Sequence, residues 1–374
     1  EYVKVCPTYG PGFFYIPGTQ TCLKVGGMVE FVAYNKEAVA RGTDTLNNHA
    51  EARVQLDARE NSEYGLVRSY LDLSFSRQMG GDYSGSWNRR AMLMNPTSAA
   101  TSTSGLVGNY SNNFQSINVA NAYVQIGGLT VGRTASFFAY GLPNLQYTKA
   151  WGSAGPVNTA AYTASLGNGM SLTLAAEDTR ELRDAILGGT RISSNIPEIV
   201  GSFDVVQGWG KIKVSAATTE IRNTTDNIAS KWGYAGGIGL QFNLPMLAAG
   251  DTFDIGGSYA SGMSYRTMGQ TTDGSTAPNQ WNFMRAGTNG GDAVVVNGAL
   301  SLVKSWAIGT VFTHYFTPTV AGYIGATYGK FDFTDAQTTA VAALTAPTGS
   351  VGGVAAAGTM RANDYYYAPT EIGI

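Results

Sequence analysis

In the stretch His49–Asn61, HAEARVQLDAREN, ionisable side chains recur on alternate positions: Glu51, Arg53, Asp57 and Arg59, with Gln55 completing the row. Ala50, Ala52, Val54, Leu56 and Ala58 fall between them. Successive strand side chains point to opposite faces, so this spacing predicts one small apolar face and one mixed-charge face. Two neighbouring segments extend the row. LKVGGMVEFVAYN sets Lys24 and Glu30 opposite Val25, Val29 and Phe31, and VRSYLDLSFS sets Arg68 and Asp72 opposite Leu71, Leu73 and Phe75. Such rows hold no nucleophile and no metal-ligand spacing. What they can do is line a wetted surface and bias the ions that pass it, or stiffen paired strands by about 0.2–1 kcal/mol per opposite-charge pair. The basic members expected to act are Arg53, Arg59 and Arg68, with Arg133 of less certain parity.

Catalytic readings lack their parts. The chain has only two histidines, His49 and His314, and no plausible Ser/His/Asp cluster or metal site. Glycine-rich GGVAAAG and GGIGLQ lie in loop and strand contexts, whereas phosphate binding needs a strand-to-helix turn. No enzyme activity and no cofactor are expected. A net charge of −2 without a basic cluster gives no footprint for nucleic acid.

The elements that position these rows are strands. Among 374 residues only 13% are charged, 48 are glycine and 21 are tyrosine, and no long apolar run could form a membrane-spanning helix. That composition fits a transmembrane barrel, whose hydrophobicity is spread over alternate positions, and equally a soluble all-β protein. Three features favour the barrel. Many strands run about 10–13 residues, suiting a tilted span. Short turns such as ENSEYG and Gly127-Gly128 alternate with long polar loops, as after Arg77. Aromatics gather near strand ends, as with Trp232, Tyr234, Trp306, Tyr315 and Phe316. Hairpins are predicted about Gly167-Asn168-Gly169, Gln207-Gly208-Trp209-Gly210 and Thr317-Pro318-Thr319, and EDTRELRDAI at 177–186 reads as a solvated loop helix. Cys6 and Cys22 enclose a Gly/Pro/aromatic loop. A disulfide there would contribute about 3 kcal/mol and imply an oxidising compartment; two buried thiols are the other reading.

The residues also resemble a known family. VCPTYGPGFFYIPGTQTCLKVGG is similar to the amino-terminal signature of the alphaproteobacterial porins, a cysteine pair around an aromatic FFYIPGT segment. AYVQIGGLTVGRTASFF resembles that family's fourth and fifth strands, and VVQGWGKIKVSAA and THYFTPT resemble its later turns. The resemblance implies one all-β domain over residues 1–374, an antiparallel transmembrane β-barrel of sixteen strands with short periplasmic turns and long extracellular loops. It implies a homotrimer in the bacterial outer membrane, in contact with lipid and lipopolysaccharide, passing small hydrophilic solutes by diffusion. It also implies that the third long loop, about 134–156, folds into the lumen as a constriction. From Thr134 to Ala176 the one formal charge is Lys149, so a neutral-to-cationic constriction with a slight anion preference is expected. Family members end in a strand with a terminal aromatic, whereas this sequence stops at YYYAPTEIGI, so further strands are expected beyond it. A secreted or surface-attached β-rich adhesin is the alternative from another class.

Overall fold

The computed structural model describes residues 3–35, 46–79, 114–142, 155–183, 186–188, 191–192, 195–223, 227–267, 291–344 and 365–373. It divides into two compact units, Glu1–Thr134 with Asn158–Ala160, and Ala135–Val157 with Ala161–Ile374.

The first unit carries β1 (Phe14–Tyr15), β2 (Cys22–Asn35), β3 (Leu46–Ser62), β4 (Gly65–Met79), β5 (Phe114–Ile126) and β6 (Leu129–Ala135), each antiparallel to the next. The alternation read from HAEARVQLDAREN lies within β3. Its turns are tight where the sequence predicts. Ser62 closes the β3–β4 turn by donating its hydroxyl to the Gly65 carbonyl at 2.9 Å. Gly65 and Gly127 both take positive φ, 99° and 56°, which glycine adopts without strain. A Cβ on Gly127 would sit 3.0 Å from the Tyr64 carbonyl oxygen, so the two turns abut.

In the second unit the main sheet is built from β7 (Pro156–Gly167), β8 (Met170–Asp178), β11 (Glu198–Gln207), β12 (Gly210–Asn223), β13 (Lys231–Asn243), β14 (Thr252–Ser261), β17 (Lys304–Thr317), β18 (Val320–Asp332) and β19 (Tyr365–Gly373), in that order. The YYYAPTEIG segment is thus a strand. β10 (Arg191–Ile192) adds to β12, while β9 (Ile186–Leu187), β15 (Ala293–Val296) and β16 (Ala299–Leu302) make a smaller sheet. A single helix among the described residues, α1 (Asp335–Leu344), packs Val341 against Leu187, Val294, Val303 and Phe331. It opens on a reciprocal cap: Thr334 Oγ1 accepts from the Gln337 amide at 3.3 Å and Gln337 Oε1 accepts from the Thr334 amide at 2.9 Å.

One sequence expectation is corrected here. The described residues within 177–186 do not form a solvated helix: Glu177 and Asp178 end β8, and Leu182, Arg183 and Ile186 are buried. VVVNGAL makes the β15–β16 hairpin, turning on Asn297 and Gly298, both at positive φ. An Asn-Gly pair between apolar residues was the signal available for it.

The burial of the two strand faces is inverted relative to a soluble sheet. In the first unit Val29 is 85% exposed and Phe75 41%, while Asp72 is 2% exposed. Within the second, Leu174 is 64% exposed and Glu177 is at 0%. A soluble sandwich hides its apolar face and hydrates its charges. Here each unit shelters the ionic row and shows the apolar one, the arrangement lipid requires.

Candidate functional site

The ladder of the first unit brings the sequence-predicted rows together. Glu51, Arg53, Asp57 and Arg59 on β3 face Glu30, Met28, Lys24 and Cys22 on β2, and Ser76, Ser74, Tyr70 and Arg68 on β4. Asp72 sits across from Gln55 on the same face. The register sets Arg59 directly opposite Arg68, a like-charge pair that would cost stability if left alone. Asp57 resolves it. Its two oxygens accept from Arg59 Nε and Nη2 at 3.0 and 2.7 Å, and from Arg68 Nε and Nη2, both at 2.9 Å. Both arginines therefore grip one carboxylate in bidentate fashion.

Aromatic rings fix the outer flanks of this cluster. The Arg68 guanidinium lies 5.0 Å from the Tyr70 ring centroid and 5.6 Å from that of Tyr123. The Arg59 guanidinium lies 4.9 Å from the Phe13 ring, and the Lys24 ammonium 5.8 Å from the same ring. Phe13 is held there by a Cys6–Cys22 disulfide that closes the amino-terminal segment, so of the two cysteine readings the paired one stands. Further along the row, Arg53 pairs with Glu51 and approaches Asp72 at 3.6 Å.

Two candidates do not join the cluster. Arg133 pairs with Ala122 on the row of Leu129 and Val131, one residue out of phase with Arg68, and donates Nε to the Val119 carbonyl at 3.1 Å. A one-residue step along a strand moves a side chain to the other face, and the sequence alone does not fix that step after a tight turn. Lys149 lies outside the described residues.

The second unit contains groups that the sequence reading missed. Segment Ser136–Leu142, the described start of the anticipated constriction loop, lies against the polar face of its own unit. The Ser136 hydroxyl donates to Glu177 Oε2 at 2.6 Å, and the Phe137 amide donates to Glu177 Oε1 at 2.7 Å. The Phe138 carbonyl accepts from Ser215 Oγ at 2.8 Å. Tyr140 lies on a glycine floor: a Cβ on Gly239 would stand 2.4 Å from its ring. The Tyr140 hydroxyl donates to Asp254 Oδ1 at 3.0 Å, where the Gln241 amide also donates at 3.0 Å. Burial, followed by the Asp254 carboxylate, pushes the Tyr140 phenol well above its ordinary range, so it remains a donor.

Behind this segment is a fully buried ion cluster. Glu177 and Glu198 face each other across β8 and β11. Arg266, from the short 3-10 turn Ser264–Arg266 after β14, lies between them. It donates to Glu177 Oε2 at 2.9 Å, to Glu198 Oε1 at 2.8 and 2.5 Å, and to Ser136 Oγ at 2.7 Å. Its guanidinium lies 4.9 Å from the Phe138 ring. Although burial opposes the charge, Glu198 and Glu177 outweigh it and raise the Arg266 pKa further. Tyr265 and Thr179 donate to Glu198 Oε2 at 2.5 and 2.6 Å. Strand parity offered a signal for the two glutamates, since each continues a row of inward polar residues such as Thr173 and Ser202. Nothing local in the sequence marked Arg266.

A family model described as "Porin subfamily" matches residues 1–353. The chain belongs to this porin subfamily. Porin Omp2b of Brucella suis biovar 1 is 33% identical over 227 residues, covering 57% of this chain and 55% of that protein. Porin Omp2b of Brucella abortus strain 2308 matches with the same identity and coverage. The chain therefore spans about half the length of the curated relatives it matches. Among solved structures, the outer membrane channel DcaP of Acinetobacter baumannii superimposes with a TM-score of 0.58 at 14% identity, covering 88% of this chain and 84% of that one. The fold of this porin-subfamily chain is accordingly the antiparallel transmembrane β-barrel, and the resemblance carried by VCPTYGPGFFYIPGTQTCLKVGG was to the right family.

Proposed function

We propose that this porin-subfamily protein forms a water-filled channel in the bacterial outer membrane, through which small hydrophilic solutes and ions diffuse. The observation that carries the reading is the inverted burial of the strands. Val29 and Leu174 on the apolar rows are the exposed residues, whereas Asp72 and Glu177 on the ionic rows are sheltered. In a barrel the sheltered rows face the lumen and the exposed rows face acyl chains. By family membership the working assembly is a trimer of identical chains, with lipid and lipopolysaccharide around it. The chemistry is that of a channel, not of an enzyme.

The sign of ion preference follows from which charges reach water. Lys24, Arg53, Arg59 and Arg68 are matched in number by Glu30, Glu51, Asp57 and Asp72, so the row is neutral in sum. Depth breaks that tie. The side chains of Arg53, Arg59 and Arg68 are 26%, 25% and 22% exposed, against 11% for Asp57 and 3% for Asp72. Solutes therefore meet guanidinium groups with carboxylates beneath them, and a weak anion preference results. Segment Ser136–Leu142 adds no charge of its own.

Reconstitution into a planar bilayer tests both statements. Discrete conductance steps and a small reversal potential of anion-preferring sign in a salt gradient are expected. A protein soluble without detergent, with no heat-modifiable band on unboiled gels and no conductance, would favour the adhesin reading, and clear cation selectivity would overturn the assigned role of the arginines.

A further inference from the structure

We infer that Arg266 is the positioning residue of Ser136–Phe138, the start of the lumen segment, so that the aperture is set in part by the connection that follows β14. The inference rests on the channel reading above, and it concerns a residue that lies on none of the pore-lining rows.

Three features of the cluster carry it. First, Glu177 and Glu198 stand directly opposite each other in the β8–β11 ladder with no exposed surface. Two facing carboxylates in a dry site repel strongly, and a cation between them is what lets both remain. Second, the same guanidinium serves the loop. Arg266 Nη1 donates to Ser136 Oγ at 2.7 Å, and that hydroxyl in turn donates to Glu177 and accepts the Phe138 amide at 3.2 Å. One oxygen therefore joins wall, connection and lumen segment. Third, the Phe138 ring rests 4.9 Å from the guanidinium, so Arg266 fixes this segment by stacking as well as by hydrogen bonding.

The connection supplying Arg266 is itself pinned. Ser264 donates its amide and its hydroxyl to Asp292 Oδ1 at 2.7 and 2.8 Å, and Thr267 Oγ1 lies 2.6 Å from Ser305 Oγ on β17. Arg266 therefore reaches the segment from a fixed base. Past the cluster, Tyr140 is latched separately by Asp254, which leaves Ser136–Phe138 as the part that depends on Arg266.

The test is single-channel recording on the purified parent assembly and on Arg266→Gln, Arg266→Lys and Ser136→Ala. The guanidinium fork cannot be reproduced by an ammonium, although the charge can. In Arg266→Gln, open-channel current noise is expected to rise several-fold and the closing threshold voltage to fall. Arg266→Lys should lie between that variant and the parent, and Ser136→Ala should shift the same readouts in the same direction while leaving the buried ion pairs intact. If Arg266→Gln does not assemble, Ser136→Ala and Arg266→Lys decide. Parent-like noise and threshold in every variant that assembles would overturn the inference. A parent assembly that never conducts would overturn the channel reading itself, a distinguishable outcome.

Discussion

The Asp57 and Arg266 clusters solve the same problem with opposite signs. In the first unit two arginines face each other across a ladder and one aspartate lies between them; in the second two glutamates face each other and one arginine lies between them. What separates them is water. The arginines around Asp57 keep about a quarter of their side-chain surface exposed, whereas Arg266 and both glutamates keep none. Where water shares the field, charges can be spent on solutes and each pair matters little to stability. In a dry site, losing one partner strands the others at full desolvation cost. On the proposed function, the same triad geometry would serve permeation in one place and rigidity in the other.

Substitutions at these two centres and around them would sharpen or break that contrast. The largest effect is expected at the buried centre: Arg266→Met should destabilise the assembly by about 3–5 kcal/mol, read as a lower midpoint in denaturant from detergent micelles. Next, Cys22→Ser removes the clamp behind Phe13 and should lower stability by about 3 kcal/mol; it should also change reversal potential, because Arg59 loses the ring that orients it. Gly239→Ala pushes a methyl into the Tyr140 ring and should cost about 1–3 kcal/mol, with a change in conductance as Tyr140 shifts. The exposed centre should behave otherwise. Asp57→Asn should cost about 1 kcal/mol or less, yet increase anion preference by uncovering two guanidinium groups. If Asp57→Asn unfolds the protein while Arg266→Met does not, the distinction between the two clusters fails.

The smallest effect concerns a turn. Burial pushes the Asp251 carboxyl up, but the Tyr315 amide at 2.8 Å and His314 Nδ1 at 2.7 Å outweigh it and hold the carboxyl below its ordinary range. A lowered folded pKa contributes stability above the ordinary carboxylate range and loses it as pH falls through the lowered value. The difference in midpoint between the parent and Asp251→Asn should therefore close on acidification. A difference that widens toward low pH would contradict this.

The wall was largely legible. Alternation in HAEARVQLDAREN, LKVGGMVEFVAYN and VRSYLDLSFS fixes which residues share a face, because the strand period is two whatever surrounds it. Arg53, Arg59 and Arg68 fall where that period puts them. The segment proposed to line the lumen, Ser136–Leu142, was harder to read. Seen along the chain it is almost uncharged, yet its acids come from the wall, through Glu177 and Asp254. The helical reading of EDTRELRDAI went wrong for a related reason: the charge of Glu177 is consumed by Arg266, far away in sequence, and Leu182 and Arg183 follow it into the interior.

By itself, then, the sequence determined the long strands of the wall, the alternation of their faces and most of the tight turns that join them, since these depend on neighbours one or two residues away. Tertiary structure decided which charges meet. Arg133 left the basic row on a one-residue step, and Arg266 entered a cluster with Ser136 and two glutamates that no local pattern connects to it. Electrostatic pairing in a barrel acts across the sheet and between its connections, and that is information a linear pattern does not carry.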